Sequence, residues 1–278
     1  MDAAAHLSEL VRKADPDRYL SVLYAPQDKR RALLSLHAFN VEVASVRDRV
    51  REPLAGEMRL QWWRDALAAP SGENTGNPVA DELRATMAGH GLPLRAFEAM
   101  LAARVFDLYD DPMPDRATLE GYCGETAGAL VQLAAMILDP QAAGTSGEAA
   151  GHAGCAQAIA GLLRLLPIHR ARGQCYVPAE LLAAAGTDRD VFVSDEPGEA
   201  GLRAVEAMIA LGRDHFRRFE TAAGSLPASL RPAFLPASPA GAYLDAVERL
   251  GKRAVTQSAG IGSLRKQWIM LRRAGKGW

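Results

Sequence analysis

The stretch Arg30-Arg31-Ala32-Leu33-Leu34-Ser35-Leu36-His37-Ala38-Phe39-Asn40-Val41-Glu42-Val43-Ala44-Ser45-Val46-Arg47-Asp48 carries apolar residues at Leu33, Leu36, Phe39, Val43 and Val46, continued by Val50. They recur every three or four positions, which places them on one face of an α-helix. Pro26 stands where the first turn of a helix tolerates proline, and Pro53 stops the run. One long helix over 27–50 is predicted.

On either side the same periodicity returns over 55–69, 78–89, 93–109, 115–138, 147–166, 178–185, 196–224, 240–250 and 256–273. Segments 70–77, 144–147 and 227–241 carry Pro, Gly and Ser and read as loops. No stretch alternates with a period of two, and no fixed repeat is visible. The chain has 52 Ala and 34 Leu against 15 Val and 6 Ile, which favours helix over strand. The expectation is an all-α fold in one domain over 1–278.

Composition narrows the function classes. With 32 Lys and Arg against 33 Asp and Glu, the chain has no bulk attraction for nucleic acid. Cys123, Cys155 and Cys175 are too far apart for a zinc knuckle or a disulfide framework. The start, Met1-Asp2-Ala3-Ala4-Ala5-His6, lacks the basic-then-apolar pattern of a secretory signal, so a cytoplasmic location is expected. Ala127 to Leu138, the longest nearly apolar run, falls short of the roughly 20 residues that cross a bilayer. After Glu248 no acidic residue occurs, and 249–278 reads as a basic amphipathic tail that either packs on the bundle or lies at a membrane surface.

Two segments are more specific than the rest. The first runs from Tyr19-Leu20-Ser21 through Arg30 to Asn40 and on to Gln61-Trp62-Trp63-Arg64-Asp65 and Asn77-Pro78-Val79. The second runs from Gly154-Cys155-Ala156-Gln157 through Arg164 to Gly173-Gln174-Cys175-Tyr176-Val177-Pro178. Together they resemble the squalene/phytoene synthase family, head-to-head prenyl transferases with an all-helical isoprenoid synthase fold around a central cavity. The resemblance implies two facing helices with aspartate-rich motifs, because Mg²⁺ must hold the departing diphosphate and takes oxygen ligands.

Matched to the family, His37-Ala38-Phe39-Asn40 brings its D-D-x-x-D motif onto Ala44-Ser45-Val46-Arg47-Asp48, where the last aspartate alone survives. Gly173 to Pro178 brings the second motif, D-x-x-x-D, onto Leu165 to His169, where neither survives. Ala44, Ser45, Leu165 and His169 thus stand at lost motif positions, and Asp48 is the residual catalytic candidate. Asn40, Glu42, Arg47, Asp48, Gln61, Arg164, His169 and Tyr176 are candidates for lining the cavity or binding an anion. Glu42 is expected to pair with Arg47 or another internal base, and Asp107 to Asp115 to form a solvated helix end beside Pro112 and Pro114.

Within the superfamily, Phe39 to Asp48 with Met58-Arg59-Leu60-Gln61-Trp62-Trp63 looks like the branch that contains a mitochondrial respiratory complex I assembly factor and its bacterial relatives. That likeness implies a non-catalytic protein without cofactor or metal. Its implied partner is a complex I subunit or assembly intermediate, with a membrane surface or an isoprenoid lipid as further partners. It places the protein in the cytoplasm, peripheral at the inner membrane. The alternative is an active prenyl transferase that uses Mg²⁺ and prenyl diphosphates, and a third reading is a helical module that holds a polyprenyl chain.

Overall fold

The computed structural model describes residues 3–70, 73–194 and 196–278, and among them regular structure is helical throughout. Ser71 and Gly72 of the expected 70–77 loop, and Met1 and Asp2 of the N-terminus, lie outside the described residues.

Helix starts follow local chemistry. The side chains of Asp15, Asn77, Asp115, Asp139 and Asp188 each accept a backbone N–H in the first turn that follows. Proline opens Pro16–Leu23, Pro53–Ala68 and Pro78–His90 at a position that needs no N–H.

The predicted 27–50 helix is broken. Its main part is Arg30–Ala44, and Val46–Arg49 forms a separate short turn. The break falls where the Ser45 hydroxyl donates to the Glu42 carbonyl and draws the backbone out of helical geometry. Two further helices precede it, Ala3–Ala14 and Pro16–Leu23. The expected 115–138 helix is continuous but carries a π-helical segment, Gly124–Gly128, between Arg116–Cys123 and Ala129–Leu138.

The proline-rich segment 227–241 is not a surface loop. Leu230, Phe234, Leu235 and Ala237 are buried, and Phe234 stacks on Phe219 with centroids 5.9 Å apart. Pro232 and Pro236 each occupy the first turn of a short helical piece, Arg231–Phe234 and Leu235–Ala237, so the prolines build the segment.

Two apolar clusters form the core. One gathers Leu7, Leu36, Phe39, Trp63, Phe97 and Phe219; the other gathers Leu119, Ile159, Phe192, Met208 and Leu244. The helices Gly147–Arg164 and Gly198–Ala223 make the most extensive pairing, and Phe216 packs on both clusters. Gly154 allows the first of these helices to cross the π-segment: a Cβ there would lie 2.2 Å from the Gly128 nitrogen. The buried Arg170 guanidinium donates to the carbonyls of Phe192 (2.8 Å), Ser194 and Val255 and so joins three separate backbone segments.

The tail forms Gly251–Val255 and the helix Ser263–Lys276, shorter at its start than expected. That helix docks: Met270 is fully buried, Lys266 Nζ lies 2.6 Å from Asp17, Arg273 pairs with Glu220, and the Trp278 ring stands 4.4 Å from Phe219.

Candidate functional site

The helix ends converge on a central cavity of about 460 Å³. Arg30–Ala44 contributes Asn40 and Ala44, the π-bulged helix contributes Tyr122 and Thr126, and Gly147–Arg164 contributes Gln157 and Arg164, with Leu165 beyond it. The π-turn changes the helical register just where Tyr122 and Thr126 face the cavity, and the Thr126 hydroxyl donates to the Tyr122 carbonyl at 2.6 Å.

The wall is strongly charged and largely self-neutralised. Arg18 pairs with Asp15 and donates to Gln157, and Lys266 pairs with Asp17, which also accepts from the Tyr243 hydroxyl at 2.9 Å. Arg164 is the exception. Its guanidinium lies 3.8 Å from the Tyr243 ring centroid, it has no carboxylate within 4 Å among the described residues, and its Nε is buried without a hydrogen-bond partner. A cation held by a ring face keeps its N–H donors available for an anion.

Behind this wall lies a network centred on Asp107. One carboxylate oxygen accepts from the Tyr122 and Tyr176 hydroxyls at 2.8 and 2.9 Å, and the other accepts from Arg104 at 3.0 Å. Gln174 donates to the Asp107 carbonyl at 3.0 Å. Asp107 is 7% exposed, so the expectation of a solvated helix end is corrected for this residue. Arg104 is one turn away on the same short helix, Arg104–Leu108, while Tyr122, Tyr176 and Gln174 come from other segments and enclose it; Asp110 and Asp111 stay at the surface. Burial first, and then the Asp107 charge, push the Tyr122 and Tyr176 hydroxyls well above the usual tyrosine range and keep them as donors.

The motif positions are rearranged. Asp48 sits on the Val46–Arg49 turn and pairs with Arg172, which follows the Leu166–Ala171 helix. His169 packs at a tilt against Tyr176 with centroids 4.7 Å apart, and burial pushes its pKa down to about 4, leaving a neutral ring at pH 7. Glu42 does not pair with Arg47: it pairs with Arg49 at 2.8 Å, while Arg47 reaches Asp110 at 3.4 Å. The Ser45 break swings Arg49, not Arg47, back over Glu42. Gln61 lies on an exposed helix face, bonded to Asp65 at 2.8 Å and accepting from Arg64 at 3.2 Å. The structure thus brings Asn40, Ala44, Arg164 and Leu165 to the cavity and ties Tyr176 and His169 to its rear wall; Glu42 and Gln61 face elsewhere.

These positions do not fit a Mg²⁺ cluster. Hard cations need several oxygen ligands from facing elements, and the five motif positions offer one carboxylate, already joined to an arginine. Among the described residues no group of three or more His, Cys, Asp and Glu side chains is arranged to hold a metal ion.

A family profile described as squalene/phytoene synthase matches residues 11–268. The chain belongs to the squalene/phytoene synthase family. Among curated relatives of this family member, the mouse protein named NADH dehydrogenase (ubiquinone) complex I, assembly factor 6, is 31% identical, covering 87% of this chain and 73% of the relative. A presqualene diphosphate synthase of Rhodopseudomonas palustris is also 31% identical, covering 64% of each chain. A dehydrosqualene synthase structure matches with a TM-score of 0.79 at 17% identity, covering 97% of this chain and 94% of that one. Squalene synthase HpnC from Alicyclobacillus acidocaldarius gives 0.72 at 21%, covering 90% and 94%. The squalene synthase-like helical fold expected from the motifs is therefore the fold observed.

Reading the motifs alone missed Arg18, Arg104, Asp107, Tyr122, Tyr243 and Lys266. The usable signal was a set of polar aromatics and arginines within otherwise apolar helices, such as Tyr122 before Ala127–Leu138, since a buried hydroxyl needs a partner.

Proposed function

We propose that this squalene/phytoene synthase family member is non-catalytic and acts as an assembly factor for NADH dehydrogenase, complex I, at the cytoplasmic face of the inner membrane. The observation that carries the reading is the fate of the motif positions: four of the five have no carboxylate, and the one surviving aspartate, Asp48, is held in an exposed ion pair with Arg172. Without a metal cluster, ionisation of an allylic diphosphate forfeits its main electrostatic support. The mouse relative named as a complex I assembly factor supports the same reading over most of the chain. The proposed role needs no cofactor.

A second reading is supported by Arg164 and by the presqualene diphosphate synthase relative. In it the cavity binds a prenyl diphosphate or a polyprenyl chain, with turnover if Mg²⁺ is recruited.

Two experiments divide them. Affinity capture of the tagged full chain from its native host is expected to retain NADH dehydrogenase subunits, and a deletion strain is expected to lose assembled complex on native gels. Normal assembly in the deletion strain overturns the first reading. Calorimetric titration with farnesyl diphosphate, with and without Mg²⁺, is expected to show no metal-dependent binding and no pyrophosphate release. Magnesium-dependent product formation overturns the non-catalytic reading.

A further inference from the structure

The Ser263–Lys276 helix has two faces of different kind. One face, with Lys266, Met270 and Arg273, is docked on the bundle. The opposite face carries Leu264, Trp268 and Leu271, which are 83%, 66% and 53% exposed. The spacing of these three, four and then three residues, makes a continuous stripe along the outside of the helix. Leu23 and Tyr24, also exposed, stand across a shallow groove from it and widen the apolar patch. Contiguous exposed apolar surface of this kind marks a docking site, whereas scattered single residues do not.

Charge says what docks. Arg265, Arg272 and Lys276 project about a quarter-turn around the helix from the stripe. All three are exposed, and none has an acidic partner within 4 Å among the described residues. No acidic residue occurs anywhere after Glu248. A second copy of the chain on this face would bring this cationic row against itself. An interface of lipid headgroups offers anions to the row, an amphipathic level to Trp268 and acyl chains to Leu264 and Leu271.

We propose that this outer face lies flat on an anionic lipid bilayer, with Leu264, Trp268 and Leu271 in the headgroup–acyl boundary and Arg265, Arg272 and Lys276 on lipid phosphates. The docked inner face holds the helix on the bundle, so the stripe is presented without unfolding. The proposal rests on the inner-membrane placement proposed above and supplies its contact surface; it uses this helix and not the central cavity, so vesicle flotation and complex I assembly can fail separately.

The test is flotation of the purified full-length chain with phosphatidylcholine vesicles, with and without phosphatidylglycerol. Binding is expected with phosphatidylglycerol and is expected to fall with added salt. Arg265→Glu combined with Arg272→Glu is expected to lower partitioning by at least about tenfold. Leu264→Asp with Leu271→Asp is expected to abolish it, and Trp268 fluorescence, taken as the difference between wild type and Trp268→Phe, should shift to the blue on binding. All these side chains are exposed, so circular dichroism should stay that of the wild type. Three results overturn the proposal: no flotation with anionic vesicles, flotation unchanged in both double variants, or a dimer in sedimentation that Leu264→Asp with Leu271→Asp dissolves.

Discussion

His37 shows how a single side chain sets a pH limit on this fold. It is buried in the Arg30–Ala44 helix, and burial followed by the nearby Arg18 charge pushes its pKa down to about 3. The unfolded chain therefore binds a proton that the folded chain refuses, and stability present above the ordinary histidine value is lost as pH falls toward 3. Between pH 7 and pH 5 this one group accounts for about 2 kcal/mol. Urea midpoints at the two pH values should fall together less in His37→Gln than in the wild type, and equal falls would refute the assignment. Asp107→Asn leaves Arg104 charged and buried without its anion, and should cost about 3 kcal/mol in denaturant unfolding. An unchanged midpoint would show the network to be idle. Asp48 and Ala44 were legible from the sequence because motif order along the chain locates them. The role of Asp107 was hidden, because Tyr122 and Tyr176 lie 15 and 69 positions away and only the fold brings them to it.

At the scale of the element, the crossing of Gly147–Arg164 over the π-segment is the tightest constraint. Gly154→Ala pushes a methyl group into the Gly128 backbone and should destabilise by about 1–3 kcal/mol. Gly151→Ala, one turn earlier with open space around its Cβ position, should be neutral or stabilise by up to about 1 kcal/mol. Thermal melts of the two variants that fail to separate would remove the crossing as an explanation. Helices with strong caps and stops, such as Pro78–His90 and Ala240–Leu250, were legible in the sequence almost to the residue. The Ser45 break was not, because a serine side-chain bond to the preceding turn leaves the apolar spacing intact. The 227–241 segment misled because proline reads as a breaker, while here Pro232 and Pro236 sit in the first turns of buried helical pieces.

For the whole molecule, two apolar clusters that share Phe216 and the central helix pair should unfold as one cooperative unit. Trp63 lies in the first cluster and the Cys175 thiol in the second, both nearly fully buried. Tryptophan fluorescence and thiol labelling should therefore report the same urea midpoint, and two separated transitions would show that the clusters melt apart. Arg170 also determines how force passes through the protein. The Val255 carbonyl, on the approach to the final helix, ends on the same guanidinium that grips Phe192 and Ser194. Pulling the chain away back through Val255 must drag a charged group out of a buried seat or strip it of a backbone acceptor, and either is costly. Shear applied at the outer surface is thus carried inward to a fixed rivet, and it spreads over three backbone segments before any one of them yields.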